Sequence, residues 1–580
     1  MPFRISSAQT NARAADRAGW ELPTRLVLVV AMLTTAGAAS GQAISRPADD
    51  RPELPAFESP GDAPRLLPPP PPPQAALPEQ RLSVGPGVHV DGFRITGSTI
   101  FSDEELAAAV AEWAGREIRS EDLILVRNAI TKLYIDAGYV NSGAVLPDQD
   151  FEAGIVELRV VEGTLGEVRI KGNEQFRDRY LRDRIRRGAS VPLNATKLSR
   201  QLKILQQDPR IERIAARLAP GSEPGSSILY LEVEESSRFT LDLRASNYEP
   251  PSIGGYAGQA EFGISSLTGF GDSLRGVFTG GEGILRYDSY FDIPLNRFDT
   301  TLALATRYAK ARVVEAPFDE LDIESRFRSY QIGLHQPIYE SPTSYVKLGA
   351  IADWRDTRTE LLDARFDFPG SGAEDGRTTA TVLRFVFDWV RRDERQVFAV
   401  RSQTSWGIDA LGATVHGKNE PDGKFVSWLL QLQWARRYSF LDLETVFRTD
   451  LQLANSPLLT MEQFAVGGYS TVRGYRQNQV VADQAAVTSA EVRIPVWRRP
   501  DLGGTVSLAP FVDYAHVWDQ RDRLLDRSRN LASVGIGLRW DMPRFVSARV
   551  YWGHNLTDSI TSGDLQDDGL QFLVTVSLPD

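Results

Sequence analysis

Two rhythms divide the chain. Between residues 88 and 236, stretches with apolar positions at helical spacing mix with stretches that alternate, whereas from Arg238 onward only the two-residue alternation persists. In VSWLLQLQW, Trp428, Leu430, Leu432 and Trp434 share one face and Ser427, Gln431 and Gln433 the other, because successive strand side chains point to opposite sides. The terminal tryptophans stand about 20 Å apart at ~3.3 Å per residue, which suits a lipid-facing band between interfacial girdles. Sixteen such segments run from 238–247 to 569–578, joined alternately by short turns (LTGFG, IPLNRF, RRDERQ, RRYS, MPR) and by longer connections, chiefly 356–379 and 454–483. The even number and the alternating turn lengths predict a closed transmembrane β-barrel of 16 antiparallel strands over 237–580. A soluble β-sandwich would need both inner faces apolar, and here the faces opposite the apolar strips carry Ser, Gln, Glu, Arg and Asp.

The mixed region repeats itself. FRITGSTIFSDEEL (93–106) overlies VRIKGNEQFRDRYL (168–181) at a constant offset of 75 residues, so that Ile95 meets Ile170, Gly97 meets Gly172, Phe101 meets Phe176 and Leu106 meets Leu181. Each copy reads strand, helix, helix, strand, strand, and Ser102 with Glu105 forms a capping box at the start of the first helix. Two α+β modules are expected, at 88–163 and 164–236, each a small sheet with a helical layer on one face.

Ahead of them, Arg13, Arg17 and Arg25 precede LVLVVAMLTTAGAA (26–39), an apolar run ending in small residues that reads as a secretory signal peptide over 1–40. Residues 41–87 are proline-rich, with an unbroken run from Pro68 to Pro73, and predict an extended arm or linker.

Composition narrows the chemistry. A formal net charge of -11 with no basic cluster argues against nucleic acid as a partner. The absence of cysteine removes disulfides, thiolate metal sites and a cysteine nucleophile, and suits a protein of the cell envelope. The five histidines are scattered and lack metal-site spacing, so no metal or other cofactor is expected. GATVHGKN (412–419) has the spacing of a nucleotide-binding loop, but Asn419 stands where a hydroxyl would hold magnesium, and no following helix is predicted. GYSTV (468–472) begins like a nucleophile elbow and lacks its second glycine. No catalytic set and no nucleotide are expected.

The longest connection, 454–483, contains EQFAVGGYSTVRGY. Its Val472, Arg473, Gly474 and Tyr475 resemble the loop signature of the outer-membrane superfamily that joins POTRA domains to a barrel. AGYVNSGAVLPDQDFEAGIVELRVVEG (137–163) likewise resembles a POTRA domain. With two such modules, sixteen strands and a proline-rich lead, the mature chain resembles two-partner secretion transporters, the TpsB family of haemolysin and adhesin exporters.

That resemblance implies an outer-membrane pore with POTRA domains in the periplasm, its loop folded into the lumen, and an unfolded secreted TpsA-like protein as partner. Outer-membrane lipid and a barrel-assembly machinery for insertion are the other partners it implies. It also implies a carboxylate for Arg473. In PFVDYAHVW, which resembles the family's F-x-D-x-G with Ala515 at the glycine, alternation turns Asp513 inward; in VTSAEVRIPV it turns Glu491 inward, the second choice. The family's N-terminal amphipathic helix has no helical period to match it in 41–80, and the last strand is followed by Pro-Asp where many barrels end in an aromatic residue. A barrel-insertion factor of the same superfamily and a passive solute porin are the alternatives; two periplasmic modules favour secretion over both.

Overall fold

The computed structural model describes residues 57, 87–149, 154–417, 420–499, 503–520, 529–542, 545–557 and 563–578. The expected signal peptide and nearly all of the proline-rich arm lie outside the described residues.

In the first module a sheet of order Gly92–Thr96, Ile155–Val161, Gly143–Val145 packs under the helices Asp103–Val110 and Ser120–Asp136. Leu106, Val126, Ile130, Leu158 and Val160 form the core between the two layers. Ser102 and Glu105 exchange the two hydrogen bonds of a capping box, which satisfies amides that the first helical turn leaves unpaired. VHVDGFRI, read as one strand, is two. Asp91 and Gly92 both donate their amides to the Gly154 carbonyl (2.6 and 3.3 Å), and this shared acceptor breaks the ladder. Val88–Val90 therefore swings away to pair with Arg116–Ile118, a short strand that the sequence pattern does not announce.

The second module repeats the plan with strands Thr164–Lys171, Ser226–Glu235 and Ile211–Pro220 in that spatial order and helices Asp178–Ile185 and Ala195–Gln206. The repeated glycine has the same cause in both. A Cβ on Gly97 would lie 2.6 Å from the Val160 carbonyl oxygen, and one on Gly172 would lie 2.3 Å from that of Val233, each at positive φ.

The remainder is a closed antiparallel barrel of sixteen long strands, from the first, Phe239–Ser246, to the sixteenth, Leu570–Leu578, which pairs back onto the first. The seventh and eighth strands, Ser344–Leu361 and Arg377–Arg392, run well past their expected outer ends at 355 and 380. The ladder continues there to the Arg358–Arg377 pair although the side chains have turned polar, so the apolar period fades before the hydrogen bonding does. Outward residues such as Ile332, Leu334, Val512, Ile536 and Leu538 are about half exposed, while inward Asp353, Gln431, Asp450 and Gln452 are buried. An apolar outer band over a polar interior is the arrangement a lipid-embedded barrel requires.

The second module seats itself on the short-turn end of the barrel. The Arg177 amide donates to the Gly269 carbonyl at 2.9 Å, and Gln207 Nε2 donates to that of Pro342 at 2.7 Å. Arg187 bridges Asp299 (2.8 Å) and Glu340 (2.9 Å). Three successive short turns are gripped in this way, which fixes the module at the mouth of the lumen.

Candidate functional site

The connection between the eleventh strand, Glu444–Ala454, and the twelfth, Gln484–Arg499, does not extend away from the barrel. It folds inward, and Leu458, Met461, Phe464, Val466, Val472, Arg473 and Tyr475 are all buried. Within it Phe464–Val466 pairs antiparallel with Val480–Ala482, so the loop carries its own small ribbon. Phe464, Val466, Val472 and Tyr475 pack with Leu429, Val487, Ala515 and Val517, apolar residues that face inward from the wall. Leu429, alone apolar among the inward positions of VSWLLQLQW, is thus a landing place for the loop.

Arg473 reaches the twelfth strand and the thirteenth, Gly504–Trp518. Its Nε and Nη2 donate to the two oxygens of Asp513 (both 2.9 Å), and its backbone amide donates to Asp513 Oδ2 at 3.0 Å. Nη1 donates to Glu491, and Nη2 also to Ser489 Oγ at 3.1 Å. The guanidinium lies over the Phe511 ring, 3.7 Å from its centroid, and 4.9 Å from that of Tyr551. Both inward carboxylates singled out in the sequence therefore meet one arginine, where Asp513 was preferred as its partner. A planar fork with five donors explains the sharing, since one carboxylate cannot occupy all of them. Glu491 is in turn held by Arg493 at 2.7 Å.

The neighbouring motif residues fix the backbone. Gly474, at φ +90°, meets Gly553 of the fifteenth strand so closely that a Cβ would fall 2.8 Å from the Gly553 carbonyl. Tyr475 Oη donates to the Ala532 carbonyl at 2.9 Å. Arg476 pairs with Glu315 (3.0 Å) and with Asp567, two residues on other long connections.

A second anchor lies on another part of the wall, the seventh and eighth strands, and the sequence reading missed it. Glu462, 5% exposed, accepts from Arg384 Nη2 at 2.8 Å and pairs with Arg355 Nη1 at 3.2 Å. Both arginines also hold Asp353, Arg355 at 2.7 Å and Arg384 at 3.1 Å. Two inward arginines against one inward aspartate on adjacent strands leave a positive charge that a loop carboxylate neutralises. That imbalance was the available signal. The loop is therefore clamped at two points, by a cation in a nest of carboxylates and by an anion in a nest of guanidinium groups.

The near-motifs do not assemble chemistry. Residues 413–417 are irregular, with His416 Nε2 against the Gly372 carbonyl, and 418–419 lie outside the described residues. GYSTV leads into turns rather than a helix. Among the described residues no cluster of His, Asp and Glu is arranged to hold a metal ion.

The family model described as haemolysin secretion/activation protein ShlB/FhaC/HecB matches residues 225–540, and that of the ShlB-type POTRA domain matches 88–163. The outer membrane transporter CdiB of Dickeya dadantii is 22% identical over 77% of this chain and 79% of its own. Heme/hemopexin transporter protein HuxB of Haemophilus influenzae is 24% identical over 81% and 84%. Among solved structures, CdiB from Escherichia coli superposes with a TM-score of 0.64 at 19% identity, covering 99% of this chain and all of its own. CdiB from Acinetobacter baumannii gives 0.58 at 14% identity over the whole of both chains. At these identities the structural likeness speaks for the fold.

Proposed function

This chain belongs to the haemolysin secretion/activation protein family ShlB/FhaC/HecB, and from that premise we propose that its barrel is a conduit for one unfolded TpsA-like partner, closed at rest by the loop that carries Arg473. It is an outer-membrane transporter of the two-partner type with its POTRA domain in the periplasm. The observation that carries the finer reading is the loop itself: buried in the lumen and ion-paired to two separate stretches of wall, the seventh and eighth strands and the twelfth and thirteenth, it obstructs the path.

The modules supply capture. The second module, seated on the periplasmic turns, places the sheet edge Ile211–Pro220 near the entrance, and the first contributes the edge Gly143–Val145; an extended segment adds to such edges as a further strand. Backbone hydrogen bonds then give affinity with little demand on cargo sequence. The lumen supplies passage. Its wall charges are paired with one another, as in Arg307 with Asp288 (3.0 Å) and Arg401 with Asp388 (2.8 Å), so neither sign dominates and a polypeptide of mixed charge is not trapped. The loop supplies the gate, since ion pairs in a site that water can re-enter are strong when dry and exchangeable when wetted. Lipid surrounds the apolar band, a barrel-assembly machinery inserts it, and neither nucleotide nor nucleic acid takes part.

Deletion of 88–235 tests the division of labour. The barrel is expected to reach the cell surface and to export none of its secreted partner; export by the barrel alone would overturn the capture role.

A further inference from the structure

The barrel closes where the first strand meets the sixteenth, and among the described residues this pairing is the shortest between its sixteen strands, running from Leu241 opposite Leu578 to Ser246 opposite Leu573. Side chains extend it outward. Asn247 accepts from the Phe572 amide through Oδ1 at 2.7 Å and donates through Nδ2 to the Leu570 carbonyl at 2.9 Å, copying one more rung of the ladder.

Beyond this rung sits Gln566, 1% exposed, whose amide has each of its functions spent on a different piece of chain. Nε2 donates to the carbonyls of Asn247 and Glu249, both at 2.8 Å, on the segment leaving the first strand. Oε1 accepts from the backbone amide of Gln477 at 2.7 Å, on the lumenal loop two residues past the motif tyrosine. Gln571 on the sixteenth strand, also 1% exposed, donates to the Tyr475 carbonyl at 2.9 Å. The stretch 475–477 is thus hydrogen-bonded to the sixteenth-strand side of the seam and, through Gln566, tied to the segment leaving the first strand.

We infer that Gln566 is a positioning residue that couples loop docking to closure of the seam, so that withdrawal of the loop and parting of the outer end of the first and sixteenth strands are one event. The inference rests on the reading of the loop as a gate. When Gln477 leaves, the oxygen of Gln566 remains buried without a donor, which is unfavourable until water enters or the strands separate. The same amide then no longer holds Asn247 and Glu249 in line with the last strand.

Amide hydrogen exchange on the full-length protein in lipid nanodiscs tests this, read at 240–246 and 571–578 (seam), at 464–482 (loop) and at the pairing of the eighth and ninth strands as a folding control. Arg473→Ala, which releases the loop, is expected to speed seam exchange about tenfold or more while the control stays at its wild-type rate. Gln566→Ala is expected to loosen the seam by itself, and adding Arg473→Ala to it is expected to change the seam by no more than about twofold, because the link is already cut. Should Gln566→Ala disturb the control strands, the Arg473→Ala arm decides alone. Fast loop exchange with a seam still at its wild-type rate would overturn the coupling and leave the gate standing. Unchanged exchange in both loop and seam would overturn the gate as well.

Discussion

Two points of the lumenal loop, Glu462 and Arg473, are fastened by opposite charges and by different amounts of structure. At Glu462 the side chain meets two arginines that Asp353 already bridges, and two backbone carbonyls of the same short turn accept from the wall, Met461 from Arg355 Nη1 and Glu462 from Gln452 Nε2, both at 3.1 Å. At Arg473 the side chain, its own backbone amide, the following glycine and the following tyrosine are all fixed against four strands. The contrast teaches which point tolerates change. Trimming Glu462 leaves its arginines on Asp353 and the turn's backbone carbonyls held, whereas at Arg473 one carboxylate takes both the backbone amide and the planar fork, for which there is no near substitute.

Arg473→Ala or Asp513→Ala should therefore have the largest effect, loosening the loop by about 3–5 kcal/mol because each leaves a buried charge without its main partner. Protease access to 464–482 in outer-membrane vesicles reads it, and export should fall while the barrel stays heat-modifiable. Arg473→Lys should be nearly as damaging, since an ammonium reproduces neither the paired bonds to Asp513 nor the stacking on Phe511. A near-wild-type lysine variant would erase the contrast between the two points.

Glu462→Ala should cost less, about 1–3 kcal/mol, with new protease sites confined to 455–463 because Arg473 still holds the rest. Combining variants sharpens the point. Arg473→Ala with Asp513→Ala should be little worse than either alone, whereas Arg473→Ala with Glu462→Ala should add within about 0.5 kcal/mol, as expected of separate sites.

The smallest effect belongs to a carboxylate outside the lumen. Burial pushes the Glu162 carboxyl up, but hydrogen bonds from the Thr99 hydroxyl and amide and from Tyr134 outweigh it and hold the group below the ordinary glutamate range. With its folded pKa below its unfolded one, its contribution is complete above the unfolded value and is lost as pH falls through the folded value. Glu162→Gln should flatten the acid limb of the first module's unfolding, followed by tryptophan fluorescence, and leave the loop anchors untouched.

The legibility of this molecule followed periodicity. Strands that bury one face in lipid and turn the other to a polar lumen repeat every two residues, and their positions and the inward sense of Asp513 and Glu491 could be read directly. Arg473 was readable because its surroundings, V-R-G-Y after a glycine pair, resemble a known loop. Glu462 and Gln566 had no such support. Each is a single polar residue in an aperiodic connection, and its partners come from far along the chain, Arg355 and Arg384 for one and Asn247 for the other. The break at Asp91 was hidden for a related reason: its cause is one carbonyl, that of Gly154, supplied by a distant turn.

The loop that carries Arg473 blocks the path at rest, and conductance tests this most directly. In planar bilayers, the purified protein lacking 457–482 is predicted to conduct well above the full-length chain, with Arg473→Ala between the two. Equal conductance for the full-length and deleted proteins would contradict it.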